Sequence, residues 1–170
     1  MASEMLFRIG IVSDLIGQVF QILMTLALYD LFRTADKKYA ALMAVLGLMI
    51  VPIAMLNQLN QFAILTLLST ANYSQVMFYV SQFGYGLFIA QIFFGLWLFP
   101  LGYLVIESRY IPRILGILLI IAGFGYVIDS FGKFLFPNYN PTIAIFTFVG
   151  EVTFLPWLLI KGAKMPKIKE

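Results

Sequence analysis

Apolar residues fall into five long runs, about 6–32, 39–69, 76–106, 112–132 and 142–160, and the short intervals between them hold much of the charge. A helix crossing a bilayer needs roughly 20 residues, at ~1.5 Å rise each, to span ~30 Å of hydrocarbon. Every run is long enough. The intervals carry helix breakers: Arg33–Lys38 is charged, Thr70–Gln75 is polar, and Pro137 and Pro141 bracket an Asn-Tyr-Asn loop. Pro112 suits the first turn of the fourth helix, where its missing N–H costs nothing. The pattern predicts an all-α integral membrane bundle of about five transmembrane helices, forming a single transmembrane domain over residues 1–170.

The second and third runs would each measure ~46 Å if fully helical, more than the hydrocarbon thickness. Tilt absorbs part of the excess, and the polar stretch Asn57-Gln58-Leu59-Asn60-Gln61 suggests that this hairpin also stands proud of the membrane. Pro52, Pro100 and Pro156 lie inside their runs and are expected to kink them. Glycines recur at seven-residue spacing, Gly95 with Gly102, Gly116 with Gly123 and Gly125 with Gly132, so each pair shares a helix face. Such faces admit the close approach of another helix backbone, or else line a site for a flat ligand. The first run is preceded by acidic Glu4 and contains Asp14, Gln18 and Gln21, which argues against a cleavable signal peptide, so it is expected to stay in the mature chain.

Threading five helices puts Arg33, Lys37, Lys38, Arg109, Arg113, Lys161, Lys164, Lys167 and Lys169 on one side and only Arg8 and Lys133 on the other. Basic loops stay in the cytoplasm, so the N-terminus is expected outside and the C-terminus inside. Aromatic residues agree, with Tyr29, Tyr39, Tyr103, Tyr110 and Trp157 near the inner boundary and Tyr73, Tyr79 and Tyr139 near the outer one. The expected location is the bacterial plasma (inner) membrane. The net charge of +3 is explained by these loops and needs no nucleic acid as partner.

Composition supports the membrane reading: 62% of the residues are hydrophobic and 11% charged, against about 45–50% and 25% in soluble domains. The chain has no cysteine and no histidine. Disulfides, thiol redox chemistry, Cys or His zinc sites, histidine-ligated haem, serine–histidine proteolysis and imidazole proton relays are thereby excluded. No cofactor is implied, and a metal site would have to be built from carboxylates.

The stretch GYLVIESRYIPRILGILLIIAGFGYVIDSF (Gly102–Phe131), with LFRIGIVSDLI (Leu6–Ile16) and GEVTFLPWLLIKG (Gly150–Gly162), resembles the bacterial multi-pass membrane family catalogued as domain of unknown function 4386. Glu107-Ser108-Arg109 followed by Pro112-Arg113 is its most distinctive part. The resemblance implies a small membrane protein with no established biochemical activity. It also implies one further hydrophobic segment ahead of the point where this chain begins. With that helix the bundle would have six spans; without it, a groove is expected where it would have packed.

Ionisable groups inside a bilayer cost on the order of 3 kcal/mol each, so each asks for a reason. Glu151 falls near the midplane, ~14 Å from either face, and reads either as a proton or cation site or as a neutral acid bonded to a neighbouring helix. Asp14, Gln18 and Gln21 share one helix face, as do Asn57, Asn60 and Gln61; Gln82 lies at comparable depth, and Asp129 and Lys133 form an acid-first i,i+4 pair. These groups suggest an outward-facing polar cavity lined by Asp14, Gln18, Asn57, Gln61, Gln82, Asp129 and Glu151, able to hold water, a cation or a small polar ligand. The alternative is interhelical hydrogen bonding worth ~0.6 kcal/mol per contact. Glu107, Arg109 and Arg113 at the inner boundary read as a local ion pair and contacts to lipid headgroups, or as a phosphate site, and the Lys161–Lys169 tail as a further lipid contact.

Three classes of function follow. The first is a non-enzymatic accessory or structural membrane subunit. The second is a small oligomeric transporter or ligand-binding protein. A membrane enzyme is disfavoured, because no nucleophile–base pair, metal-ligand cluster or phosphate-cradling loop is apparent. The expected partners are membrane lipids and a homo-oligomer or larger membrane complex.

Overall fold

The computed structural model describes residues 2–68, 72–109, 111–136 and 138–162. Six helices follow one another: α1 (Ala2–Phe32), α2 (Lys37–Leu68), α3 (Tyr73–Ser108), α4 (Arg113–Leu135), α5 (Ile143–Thr147) and α6 (Val149–Lys161). Five stretches are long and apolar enough to cross a membrane, α5 and α6 together making the fifth, Ile143–Lys161. Ser69, Thr70, Tyr110, Pro137, Lys164, Lys167 and Lys169, used in the sequence reading, lie outside the described residues.

Local chemistry sets the helix ends. Asp36 Oδ1 accepts from the N–H groups of Lys38 (2.9 Å) and Tyr39 (3.1 Å), capping α2. Asn72 does the same for α3 through the N–H of Gln75. α3 ends on Arg109 in the left-handed conformation (φ 57), and Pro112 is the cap residue before α4 rather than a residue within its first turn. α2 and α3 run unbroken through Pro52 and Pro100. The interruption in the last span falls at Phe148 and not at Pro156. There the Thr147 hydroxyl turns back onto the carbonyls of Ile143 and Ala144, while the Phe148 N–H still reaches Ala144 O.

Consecutive helices pack as antiparallel neighbours, α1 on α2, α2 on α3, α3 on α4, and α4 on both α5 and α6. The α3–α4 seam is built on the glycines. A Cβ on Gly95 would lie 2.8 Å from the Gly123 carbonyl oxygen and one on Gly123 2.8 Å from that of Gly95; Gly102 and Gly116 reciprocate at 2.6 Å. Without side chains there, the two backbones meet directly, the close packing expected of small residues in membrane helices. The other face of α4 presents Gly125 to Thr147 and Gly132 to the Tyr139 ring. The apolar core centres on α3 and on the end of the bundle where α1 turns into α2 and α3 into α4, with Phe32, Ala40, Met43, Leu101, Leu104, Val105 and Leu115 buried. Buried polar side chains lie mostly in the other half: Asn57, Gln58, Gln61, Asp129 and Ser130.

Candidate functional site: a cleft around Glu151

The polar residues singled out in the sequence occupy several separate places. Asp14 is exposed on α1 and accepts a hydrogen bond from Gln58 Nε2 of α2 at 3.3 Å. Asn57 is buried against α3, donating to the Phe83 carbonyl at 2.9 Å and accepting from Asn60 Nδ2 at 2.9 Å. Its side chain occupies the space left by the missing side chain of Gly86. Gln61 is buried on the same helix, and Gln82 is exposed on α3. The structure does not gather these side chains into one outward-facing cavity. Asn57 and Asp14 instead bond to neighbouring helices, as the alternative reading expected.

Asp129, 1% exposed, is committed to the chain that follows α4. Its Oδ1 accepts from the Tyr139 hydroxyl at 2.6 Å and its Oδ2 from the Ala144 N–H at 2.7 Å, pinning the α4–α5 connection and the start of α5. The hydrogen bond to Asp129, with burial and the charge of Asp129 adding to it, raises the Tyr139 phenol above its ordinary pKa of 10.0. Among the described residues the ion pairs are Arg8–Glu4 and Arg33–Asp30, both exposed, so the expected Asp129–Lys133 pair and a pair within Glu107, Arg109 and Arg113 are not formed. Those last three are exposed around the α3–α4 turn, open to headgroups.

Glu151 stands apart. α1 packs principally on α2 and α6 on α4, which leaves a gap between α1 and α6 floored by α3. The gap is a cleft of about 270 Å³. Gln21, Met24 and Leu28 of α1 form one wall, Phe94, Trp97, Leu98 and Leu101 of α3 the floor, and Glu151, Phe154 and Leu155 of α6 the other wall, with Leu119 of α4 behind. Glu151 is brought to this wall because Gly150, just before it, lets α6 ride directly on the α4 backbone at Leu118. Its Oε1 is buried and has no hydrogen-bond partner, and the Tyr126 side chain of α4 is close enough to interact with the carboxyl. Gln21 is tied back along its own helix to Thr25 at 3.5 Å. Among the described residues no three His, Cys, Asp or Glu side chains converge as metal ligands.

A second recess, of about 440 Å³, lies beside the first. Gln18 of α1 and Gln91 of α3 line it, and Phe94 lines both spaces and so divides them. Gln18 Oε1, like Glu151 Oε1, is buried without a partner. Sequence reasoning named Gln18, Gln21 and Glu151 but not the aromatic floor. Phe94 and Trp97 are three apart on one helix face, a spacing that reads as core unless the neighbouring helices are known to stand apart.

A sequence profile of the family described as "Domain of unknown function (DUF4386)" matches residues 1–162. An uncharacterized protein of Archaeoglobus fulgidus (strain ATCC 49558 / DSM 4304 / JCM 9628 / NBRC 100126 / VC-16) is 35% identical over 150 residues, which cover 88% of this chain and 82% of that protein. No solved structure matches the chain. The chain belongs to the DUF4386 family.

Proposed function

We propose that this member of the DUF4386 family is a non-enzymatic membrane protein that takes up a small lipophilic molecule from the bilayer into the cleft between α1 and α6. The observation that carries the reading is the unpartnered Glu151 oxygen in a largely apolar space of about 270 Å³. A buried polar atom without a partner costs ~1–3 kcal/mol, and an unfilled cavity costs more besides. Elsewhere the bundle gives the buried side chains of Asn57 and Asp129 hydrogen-bond partners, and of the buried polar atoms left without one among the described residues, at Gln18, Gln58, Trp97, Ser130 and Glu151, Glu151 supplies the carboxyl. The lining residues include no nucleophile paired with a base, so no reaction is assigned to the cleft.

The distribution of Lys and Arg supports a plasma membrane orientation with the N-terminus outside and the C-terminus cytoplasmic. A second reading, an accessory subunit that receives a partner helix, is favoured by the bareness of α1. That helix packs principally on α2 and leaves Leu6, Phe20 and Leu23 among the largest exposed apolar side chains. Native mass spectrometry of the protein released from membrane-derived nanodiscs separates the two. Ligand binding predicts a small-molecule mass retained by the wild type and lost in Leu155→Trp, which fills the cleft. A complex with a second protein and no small-molecule mass would support the accessory role instead.

A further inference from the structure

We infer that the molecule held in the cleft is a lipophilic organic cation, with its positive charge against Glu151 and its apolar body on the aromatic floor. This inference rests on the ligand-binding reading above and names the ligand class. Among the described residues Glu151 is the one carboxylate lining the cleft, and no lysine or arginine lines it. The Tyr126 side chain approaches the carboxyl, but Oε1 itself has no hydrogen-bond partner and no cationic side chain lines the space beside it. A cationic ligand supplies the partner that Oε1 lacks.

The rest of the lining sets what else the ligand carries. Phe94, Trp97 and Phe154 present rings, and aromatic faces attract organic cations within about 6 Å of the ring centre. Trp97 packs at 5.4 Å from the Phe94 ring, which in turn meets Tyr126 at 5.2 Å, so the rings form a continuous group reaching from the floor to the helix beside Glu151. An inorganic cation is poorly served, since Ca²⁺ asks for about six to eight oxygen ligands and the lining supplies one carboxyl and one amide. A ~150 Å³ cavity holds one benzene, so about 270 Å³ suits a body of roughly two rings or one ring with a compact cationic head. The open side between α1 and α6, where Leu155 is 46% exposed, admits such a body laterally.

Benzyltrimethylammonium and neopentylbenzene share a shape and differ in whether nitrogen or carbon bears the methyl groups, so they separate charge from fit. Both are titrated into nanodiscs holding the Trp157→Phe protein, whose fluorescence then comes from Trp97, with empty nanodiscs as blank. The inference predicts saturable binding of the cation at least tenfold tighter than that of the neutral isostere, and a loss of about tenfold or more for the cation in Glu151→Gln. Should Glu151→Gln fail to fold, the two ligands compared on the unsubstituted cleft decide the matter. Equal affinity for both ligands would overturn the cation while leaving a binding cleft, and no saturable response to either would overturn the ligand-binding reading itself.

Discussion

Glycine positions in this chain differ sharply in what surrounds them. Gly102 faces the Gly116 carbonyl so closely that even a methyl group would force α3 and α4 apart, whereas Gly10 has open space around its Cα. Gly102→Ala is therefore expected to lower stability by on the order of 1–3 kcal/mol, as overpacking does, while Gly10→Ala should gain up to about 1 kcal/mol from reduced backbone freedom. Thermal unfolding of both variants in the same detergent checks the contrast. Tyr139 offers a test by pH. Its raised pKa means the folded state holds the phenolic proton more tightly than the unfolded chain. The stabilisation is thus fully present below pH 10 and lost as pH rises through the raised value. Melting temperature should fall more steeply above pH 10 in the wild type than in Tyr139→Phe, which lacks the titrating hydroxyl; parallel falls would contradict the Asp129–Tyr139 bond.

At the scale of elements, the helices and their glycine seams were legible because hydrophobic length and seven-residue spacing are properties of one strand of sequence. Gly95, Gly102, Gly116 and Gly123 pair across α3 and α4 as their spacing allowed. The partners of polar residues were harder to read. Asn57 turns into α3 because Gly86 leaves room for it, and Asp129 bonds to Tyr139 and Ala144 beyond the end of its own helix. Neither fact follows from the residue's own helix face. Pro52 and Pro100 sit within continuous helices, while the irregularity of the last span falls at Phe148, next to the contact of Thr147 with Gly125 of α4. If Asp129 fastens the connection to the last span, Asp129→Ala should leave the fold intact but raise amide exchange across residues 138–148 by tenfold or more, since a hydrogen bond to a carboxyl contributes roughly 1.5–3 kcal/mol. Unchanged exchange there would mean the connection is held by packing alone.

On the scale of the whole molecule, five sequential antiparallel spans and a one-sided distribution of lysine and arginine support a fixed orientation. The chain has no native cysteine, so single cysteines can be placed without removing any. A membrane-impermeant maleimide added to intact cells should label Asn138→Cys and spare Lys37→Cys; the reverse pattern would invert the assignment. The proposed uptake from the bilayer requires that the cleft at Glu151 face lipid and not water. A nitroxide at Leu155→Cys, on the cleft wall, measures this by power saturation in bilayers against molecular oxygen and a water-soluble nickel chelate. A lipid-facing cleft gives strong relaxation by oxygen and little by nickel; strong relaxation by nickel would show that the cleft opens to water.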